Sequence, residues 1–126
     1  MKKRKVVVLV LHDELESAYP PLNIAVGAAS SGANVSLAFL RKGVNLLDKG
    51  FVPVVSDGTE YLSKALKNFN APTIRELFDI AVDSGVKLYA VDLDIQNHTN
   101  FLYSIEQVPI KWILNEAVSA DLFVHF

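Results

Sequence analysis

Three groups of polar residues follow apolar runs of the chain and hold the side chains best suited to chemistry. Asp92 and Asp94 could share a proton or bind a hard cation together with Asp13, because magnesium and calcium prefer oxygen ligands. The spacing matches no metal signature, and solvated turns or helix N-caps explain these carboxylates as well. The three groups are His12, Asp13 and Glu14; Arg41 and Lys42; and Asp92, Asp94 and His98.

The histidines and the two cations of these groups permit further chemistry. His12 and His98 could form an acid–base pair or a transition-metal site, since imidazole titrates near neutral pH and ligates zinc. No sulfur ligand and no helical His-x-x-x-His spacing supports a metal site, so we expect hydrogen-bonded or surface histidines. Arg41 and Lys42 could hold a small acid or a phosphate, but the chain has no phosphate-binding loop, and solvation is the simpler interpretation.

The composition excludes several classes of function. The chain has 126 residues, of which 51% are apolar, enough to build one domain over 1–126. A net charge of −2 gives no electrostatic reason for a nucleic-acid partner. No apolar run approaches the ~20 residues of a membrane span. The chain has no cysteine, which excludes disulfides, thiolate zinc sites and a thiol nucleophile. We expect a cytoplasmic protein without a cofactor.

Apolar runs alternate with helical patterns along the chain. Residues 6–11 are apolar without alternation, which is typical of a strand covered on both faces, and we expect this strand to be central. Ser17 is a candidate N-cap of the following helix. The stretch 44–71 is irregular except for a predicted helix at 61–69, whose inward residues would be Leu62, Ala65, Leu66 and Phe69.

The second half of the chain continues this alternation. Thr73 and Glu76 match a capping box, and Gly85 ends the helix that they begin. The buried stripe of that helix would be Leu77, Phe78, Ala81 and Val82. Further strands are predicted at 34–40, 86–91, 105–108 and 121–126, and a last helix after Pro109. We therefore predict an α/β domain, a three-layer αβα sandwich of flavodoxin-like type with a mainly parallel five-stranded sheet.

The order and spacing of these segments resemble the DsrE/DsrF/DsrH-like family, small proteins of sulfur relay. The stretches 13–20 and 25–32 are similar to the first turn and alanine-rich first helix of the family, 35–40 to its second strand, 73–77 to its third helix, and 120–124 to its last strand. The stretch 86–90 is similar to the strand that ends in the family's cysteine, and Val91 stands at that position. The resemblance implies homo-oligomers, commonly trimers or hexamers, and a persulfide-carrying cysteine that this chain lacks.

These observations favour a DsrE-like protein without its thiol, acting as a structural, binding or partner subunit linked to sulfur relay. The aromatic stretch 101–103 is expected to be an exposed patch for subunit contact. One alternative is a metal- or carboxylate-dependent enzyme that uses Asp13, Asp92, Asp94 and His98. Another is a small-ligand sensor in the crevice at the strand ends, where the ligands of parallel α/β sheets bind. We expect Val91 and the three polar groups to line this crevice.

Overall fold

The computed structural model describes residues 3–96, 98 and 100–126, which form a five-stranded sheet with helices on both faces. All strand pairs are parallel, and the spatial order is β4-β3-β2-β1-β5. The predicted three-layer α/β class is confirmed, with β2 rather than β1 in the middle of the sheet. The strands are β1 (Lys5–Val10), β2 (Asn34–Phe39), β3 (Lys87–Val91), β4 (Glu106–Val108) and β5 (Leu122–His125).

The two helical layers follow from the order of the strands. Crossovers between parallel strands are right-handed, so a connection that runs back across the sheet places its helix on the opposite face. The helices α1 (Leu15–Ser30) and α3 (Ile74–Asp83) pack on each other on one face, and α4 (Ile110–Ser119) packs beside β1 on the other. A short helix, α2 (Tyr61–Asn68), lies in the irregular stretch.

Successive side chains of β1, β2 and β3 enter two separate cores. Val8 and Phe39 belong to the larger core, under α1 and α3. Val7, Leu9 and Val91 belong to a smaller core on the α4 side. All strands end at the same edge of the sheet because they are parallel. We call residues 11–14, 40–48 and 92–98, as far as they are described, the carboxyl edge.

The first helix begins earlier than its polar residues suggested. The backbone N–H groups of Ser17 and Ala18 donate to the carbonyl oxygen of Glu14, at 3.0 and 2.9 Å, so the first turn already includes Ser17. The N-cap is Glu14, not Ser17, and its side chain makes no capping bond. Pro20 and Pro21 consequently lie inside the helix.

The capping box of α3 is confirmed. The N–H of Glu76 donates to the Thr73 hydroxyl oxygen at 3.1 Å, and the N–H of Thr73 donates to the Glu76 carboxylate at 3.3 Å. The helix ends before Gly85, whose φ of +92° is the left-handed conformation that glycine adopts without strain. Local sequence therefore determines both ends of this element.

Some predicted core positions are exposed. Phe69 is 84% exposed because it caps the end of α2, beyond the helical stripe that packs inward. Val82 is 40% exposed at the margin of the α3 stripe. Conversely, Phe101 and Tyr103 pack against the larger core, and the Tyr103 ring stacks on Phe78. The stretch 101–103 is therefore not an open aromatic patch.

Candidate functional site

The carboxyl edge brings some of the predicted polar residues together in pairs. Asp13, which follows β1, accepts a hydrogen bond from the Asn45 side-chain amide at 2.8 Å. Asn45 belongs to a 3-10 helix, Arg41–Leu47, that follows β2 and whose buried residues include Val44 and Leu47. The bond joins the loops after the first two strands, which pair side by side in the sheet.

Arg41 and Asp94 form the second pair. Arg41 Nη1 lies 3.9 Å from Asp94 Oδ1, the Arg41 side chain is 72% exposed, and that of Asp94 is 16% exposed. Arg41 has a φ of +54°, a left-handed conformation that is uncommon for a side chain of this size. A long ion pair at the surface contributes little to stability. Its geometric effect is to join the loops after β2 and β3.

The shortest polar contact of the edge joins His98 to Asp48. His98 Nδ1 and Asp48 Oδ2 are 2.6 Å apart, both side chains are partly buried, and the imidazole stacks on the Phe101 ring. A carboxylate on Nδ1 fixes the ring and leaves Nε2 for proton transfer, as in acid–base pairs of enzymes. Sequence reasoning selected His98 and missed Asp48, because the two residues are 50 positions apart and no motif connects them.

The remaining members of the three groups do not converge. His12, Lys42 and Asp92 are exposed, and Glu14 serves as the α1 N-cap. Asp13 and Asp94 are held by different partners, as described above. Over residues 3–96, 98 and 100–126, no group of three or more histidine, aspartate or glutamate side chains could hold a metal ion.

Val91, the position that the sequence resemblance matches to the cysteine of the DsrE-like family, has no access to solvent in this chain. It ends β3, pairs with Val108 of β4, and has 0% exposure. Its side chain lies in the smaller core with Leu9 and Leu40, on the face that α4 covers. The sequence placed Val91 in an open crevice. The side chain instead enters the core because the strand continues its inward alternation to the last residue.

A groove of about 550 Å³ lies beside the carboxyl edge, outside α1 and the start of α3. Its size falls in the range of small-molecule sites. The sequence indicated only an irregular stretch here, since the walls come from segments far apart in the chain. The apolar lining includes Leu15, Tyr19, Phe51, Leu66 and Ile74.

Arg75 holds the segment that forms one wall of this groove. Its guanidinium donates to three backbone carbonyl oxygens, those of Leu46 at 3.1 Å, Asp48 at 2.9 Å and Phe51 at 2.9 Å. The same group lies 5.8 Å from the centroid of the Phe78 ring. Arg75 therefore anchors the main chain that carries the Asp48 carboxylate and the groove residue Phe51.

Glu16 fastens the loop that precedes α2. Its carboxylate accepts hydrogen bonds from the Ser56 hydroxyl and, at 3.1 Å, from the Ser56 N–H. The pKa of Glu16 is lowered below its usual value, chiefly because the Ser56 hydroxyl donates to the charged form. Its own backbone N–H lowers the pKa further, desolvation opposes these effects, and the Ser56 N–H and the Thr59 hydroxyl make smaller lowering contributions.

We expect this attachment to depend on pH. A carboxylate with a lowered pKa stabilises the folded loop fully above its unfolded pKa, near 4.5, and loses that contribution as the pH falls through the lowered value. Amide exchange at Ser56, corrected for the intrinsic rate, should therefore be more protected at pH 7 than at pH 3. Glu16→Gln should reduce the protection at pH 7 and remove its pH dependence.

Glu60→Gln is the control, because among the described residues the Glu60 carboxylate accepts a hydrogen bond only from the Gly58 N–H, within its own turn. Equal protection of the wild-type Ser56 amide at both pH values would contradict the prediction.

Comparison with known proteins supports the fold. No family model and no curated protein matches the sequence. Among solved structures, the chain is similar to the ychN protein from E. coli, with 15% identity, a TM-score of 0.72, and coverage of 99% of this chain and 100% of that one. At this identity the likeness shows the shared α/β fold alone. No helix of the described residues is long and apolar enough to cross a membrane.

Proposed function

We propose that the protein is a DsrE/DsrF-like subunit that has lost the sulfur-carrying group and acts by binding, as a partner in a cytoplasmic sulfur-relay assembly. The observation that carries the proposal is Val91. A sulfur carrier needs an ionisable thiol at an accessible strand end. Here the side chain is apolar and fully buried, and the chain has no cysteine elsewhere. The proposed role requires neither a metal nor a cofactor.

We expect the wild-type protein to leave a sulfane-sulfur donor unchanged. Incubation with glutathione persulfide should add no sulfur to the chain by intact mass, and sulfide release should match the rate without protein. Sulfide release above that rate would overturn the proposal. If such sulfide release were seen and were lost in His98→Gln, the enzyme alternative would be favoured. The observation that supports this alternative is the His98 imidazole, which the Asp48 carboxylate orients.

Restoring the cysteine tests whether the strand end is only geometrically similar to a sulfur site. Val91→Cys should fold, since a buried cysteine behaves as a small hydrophobe and the substitution costs about 1 kcal/mol or less. Its thiol should resist a small alkylating reagent until the protein is denatured. Val54→Cys is the matched control, because Val54 is 69% exposed, lies outside α4, and its thiol should react at once. Rapid alkylation at position 91 in the folded protein would contradict a closed site.

Homo-oligomer formation, as a trimer or hexamer, is part of the proposal. It is supported by an apolar stripe on the outer side of α4, made of Ile110, Leu114 and Val118, which are 52%, 66% and 80% exposed. Residues four apart lie on one side of a helix. Exposed apolar stripes of this kind mark contact surfaces. The stripe takes over the contact role that the sequence assigned to 101–103.

Light scattering at micromolar concentration should show an oligomer. Leu114→Lys should shift it to a monomer by placing a charge at the centre of the stripe. Leu93→Lys is the control, since Leu93 is also 66% exposed but lies outside α4. A wild-type monomer, or equal masses of the two variants, would contradict the stripe as the contact surface.

A further inference from the structure

We propose that the groove between α1, α2 and the first turn of α3 is a binding site for a small apolar carboxylic acid. This inference goes beyond the proposed function and does not depend on it. The groove lies outside the α1 and α3 layer, whereas Val91 and the α4 stripe belong to the other face of the sheet.

The shape and lining of the groove favour an apolar ligand. Its volume of about 550 Å³ lies within the range of small-molecule sites, which are mainly apolar with a few polar groups. Leu15 and Tyr19 come from α1, Phe51 from the loop that precedes α2, Leu66 from α2 itself and Ile74 from α3. Residues of the chain thus enclose the groove from several sides.

Most polar groups of the lining are already occupied by bonds within the protein. The Tyr19 hydroxyl donates to the Pro72 carbonyl oxygen at 2.8 Å. Thr73 and Glu76 satisfy each other in the capping box. Arg75 directs its guanidinium to backbone carbonyls. These groups shape the groove but offer little to a ligand.

Lys67 differs from them. Its ammonium group makes no ion pair or hydrogen bond with any residue that the structure describes, and it is exposed at the groove. The lining contains two cations, Lys67 and Arg75, and one carboxylate, Glu76, which is held at the α3 N-terminus. The net charge of the lining is positive, so a carboxylate is the head group that complements it.

Helix α2 forms the outer wall of the site. None of its residues is fully buried, and its packing rests on partly buried side chains such as Leu62 and Leu66. The bond between Glu16 and Ser56 holds the loop on its N-terminal side. An apolar chain in the groove would add contacts to Leu66, so ligand binding should increase the protection of α2 amides.

The probe is decanoate, compared with decanol and decyltrimethylammonium at concentrations below micelle formation. We expect saturable binding of decanoate with amide shifts at Leu15, Tyr19, Leu66 and Thr73, weaker binding of decanol, and the weakest binding of the cation. Shifts confined to other residues, or shifts that do not saturate, would overturn the site.

Variants of α2 test the head group. Lys67→Gln should weaken decanoate binding about three- to fivefold, the size expected for an exposed ion pair, and leave decanol unchanged. Lys67→Arg should retain the affinity for decanoate. Lys64→Gln is the matched control, because it removes an exposed lysine of the same helix that does not line the groove. Equal effects of the two glutamine variants would overturn the carboxylate assignment.

A second pair of variants tests the location without touching α2. Val52 lines the groove and is 75% exposed, whereas Val54 is 69% exposed and lies outside it. Val52→Glu should weaken decanoate binding by repulsion, and Val54→Glu should not. Because both positions are exposed, neither substitution should prevent folding. Equal affinities of these two variants would place the ligand elsewhere.

Discussion

Gly43→Ala should destabilise the protein by about 3 kcal/mol or more, or prevent it from folding. Gly43 lies in the 3-10 helix after β2, where its backbone crosses the carboxyl end of β1. A Cβ atom at this position would overlap the Val10 carbonyl oxygen and lie 2.7 Å from its carbonyl carbon. That carbonyl also accepts the N–H of Leu40 at 3.1 Å.

The cost is large because both sides of the clash are backbone. A flexible side chain could rotate away, whereas moving Val10 or Gly43 would break the contact between the end of β1 and the 3-10 helix after β2. The substitution should also separate Arg41 from Asp94, since Arg41 is two residues from the altered position. Urea denaturation followed by circular dichroism measures the loss.

Gly27→Ala is the matched control. Gly27 lies in α1, and a Cβ there would meet no atom within 4 Å. Alanine has the higher helix propensity, so this variant should be more stable by up to about 1 kcal/mol. Unfolding of Gly43→Ala at the same urea concentration as the wild type would show that the close approach to Val10 is absent.

Arg75→Met should cost about 3 kcal/mol of unfolding free energy. The guanidinium holds three carbonyl oxygens within the segment 46–51, and hydrogen bonds from a charged donor are stronger than neutral ones. Methionine keeps an apolar chain over Phe78 but provides no donor. The segment should then loosen, and with it the wall of the groove that contains Phe51.

Arg75→Lys separates charge from geometry. Lysine keeps the positive charge but lacks the planar fork that reaches three acceptors. We therefore expect the unfolding free energy of Arg75→Lys to lie between those of the wild type and Arg75→Met. Arg41→Met is the control, since Arg41 is mostly exposed and makes one long ion pair, and it should cost less than about 0.5 kcal/mol. Equal stabilities of the Arg75 and Arg41 variants would contradict the anchoring role.

Loss of the Arg75 hydrogen bonds should also change the surroundings of His98 at the carboxyl edge. Asp48 offers its carbonyl oxygen to Arg75 and its carboxylate to His98. Its backbone pairs with Phe101 in an isolated antiparallel bridge. Nuclear magnetic resonance of the His98 ring in Arg75→Met should show a changed environment, although the two side chains have no hydrogen bond in common.

Local patterns in the sequence were sufficient for most elements of the fold. The run 6–11 predicted β1, and Thr73 with Glu76 predicted the start of α3, because these signals depend on residues a few positions apart. Predictions failed where local signals competed. Ser17 is a good N-cap residue, but the backbone at Glu14 begins the helix. Phe69 continues an apolar stripe, but α2 has already ended.

The α/β class, the alternation of strands and helices, and the absence of any thiol follow directly from the amino-acid sequence. The strand order, the buried position of Val91, the pairing of Asp48 with His98, and the groove beside α3 arise from the folded chain. Periodicity and capping are short-range properties that the chain carries in every local window. The pairings depend on register and on loop paths that bring residues 50 positions apart within hydrogen-bonding distance, and these exist only when the sheet is assembled.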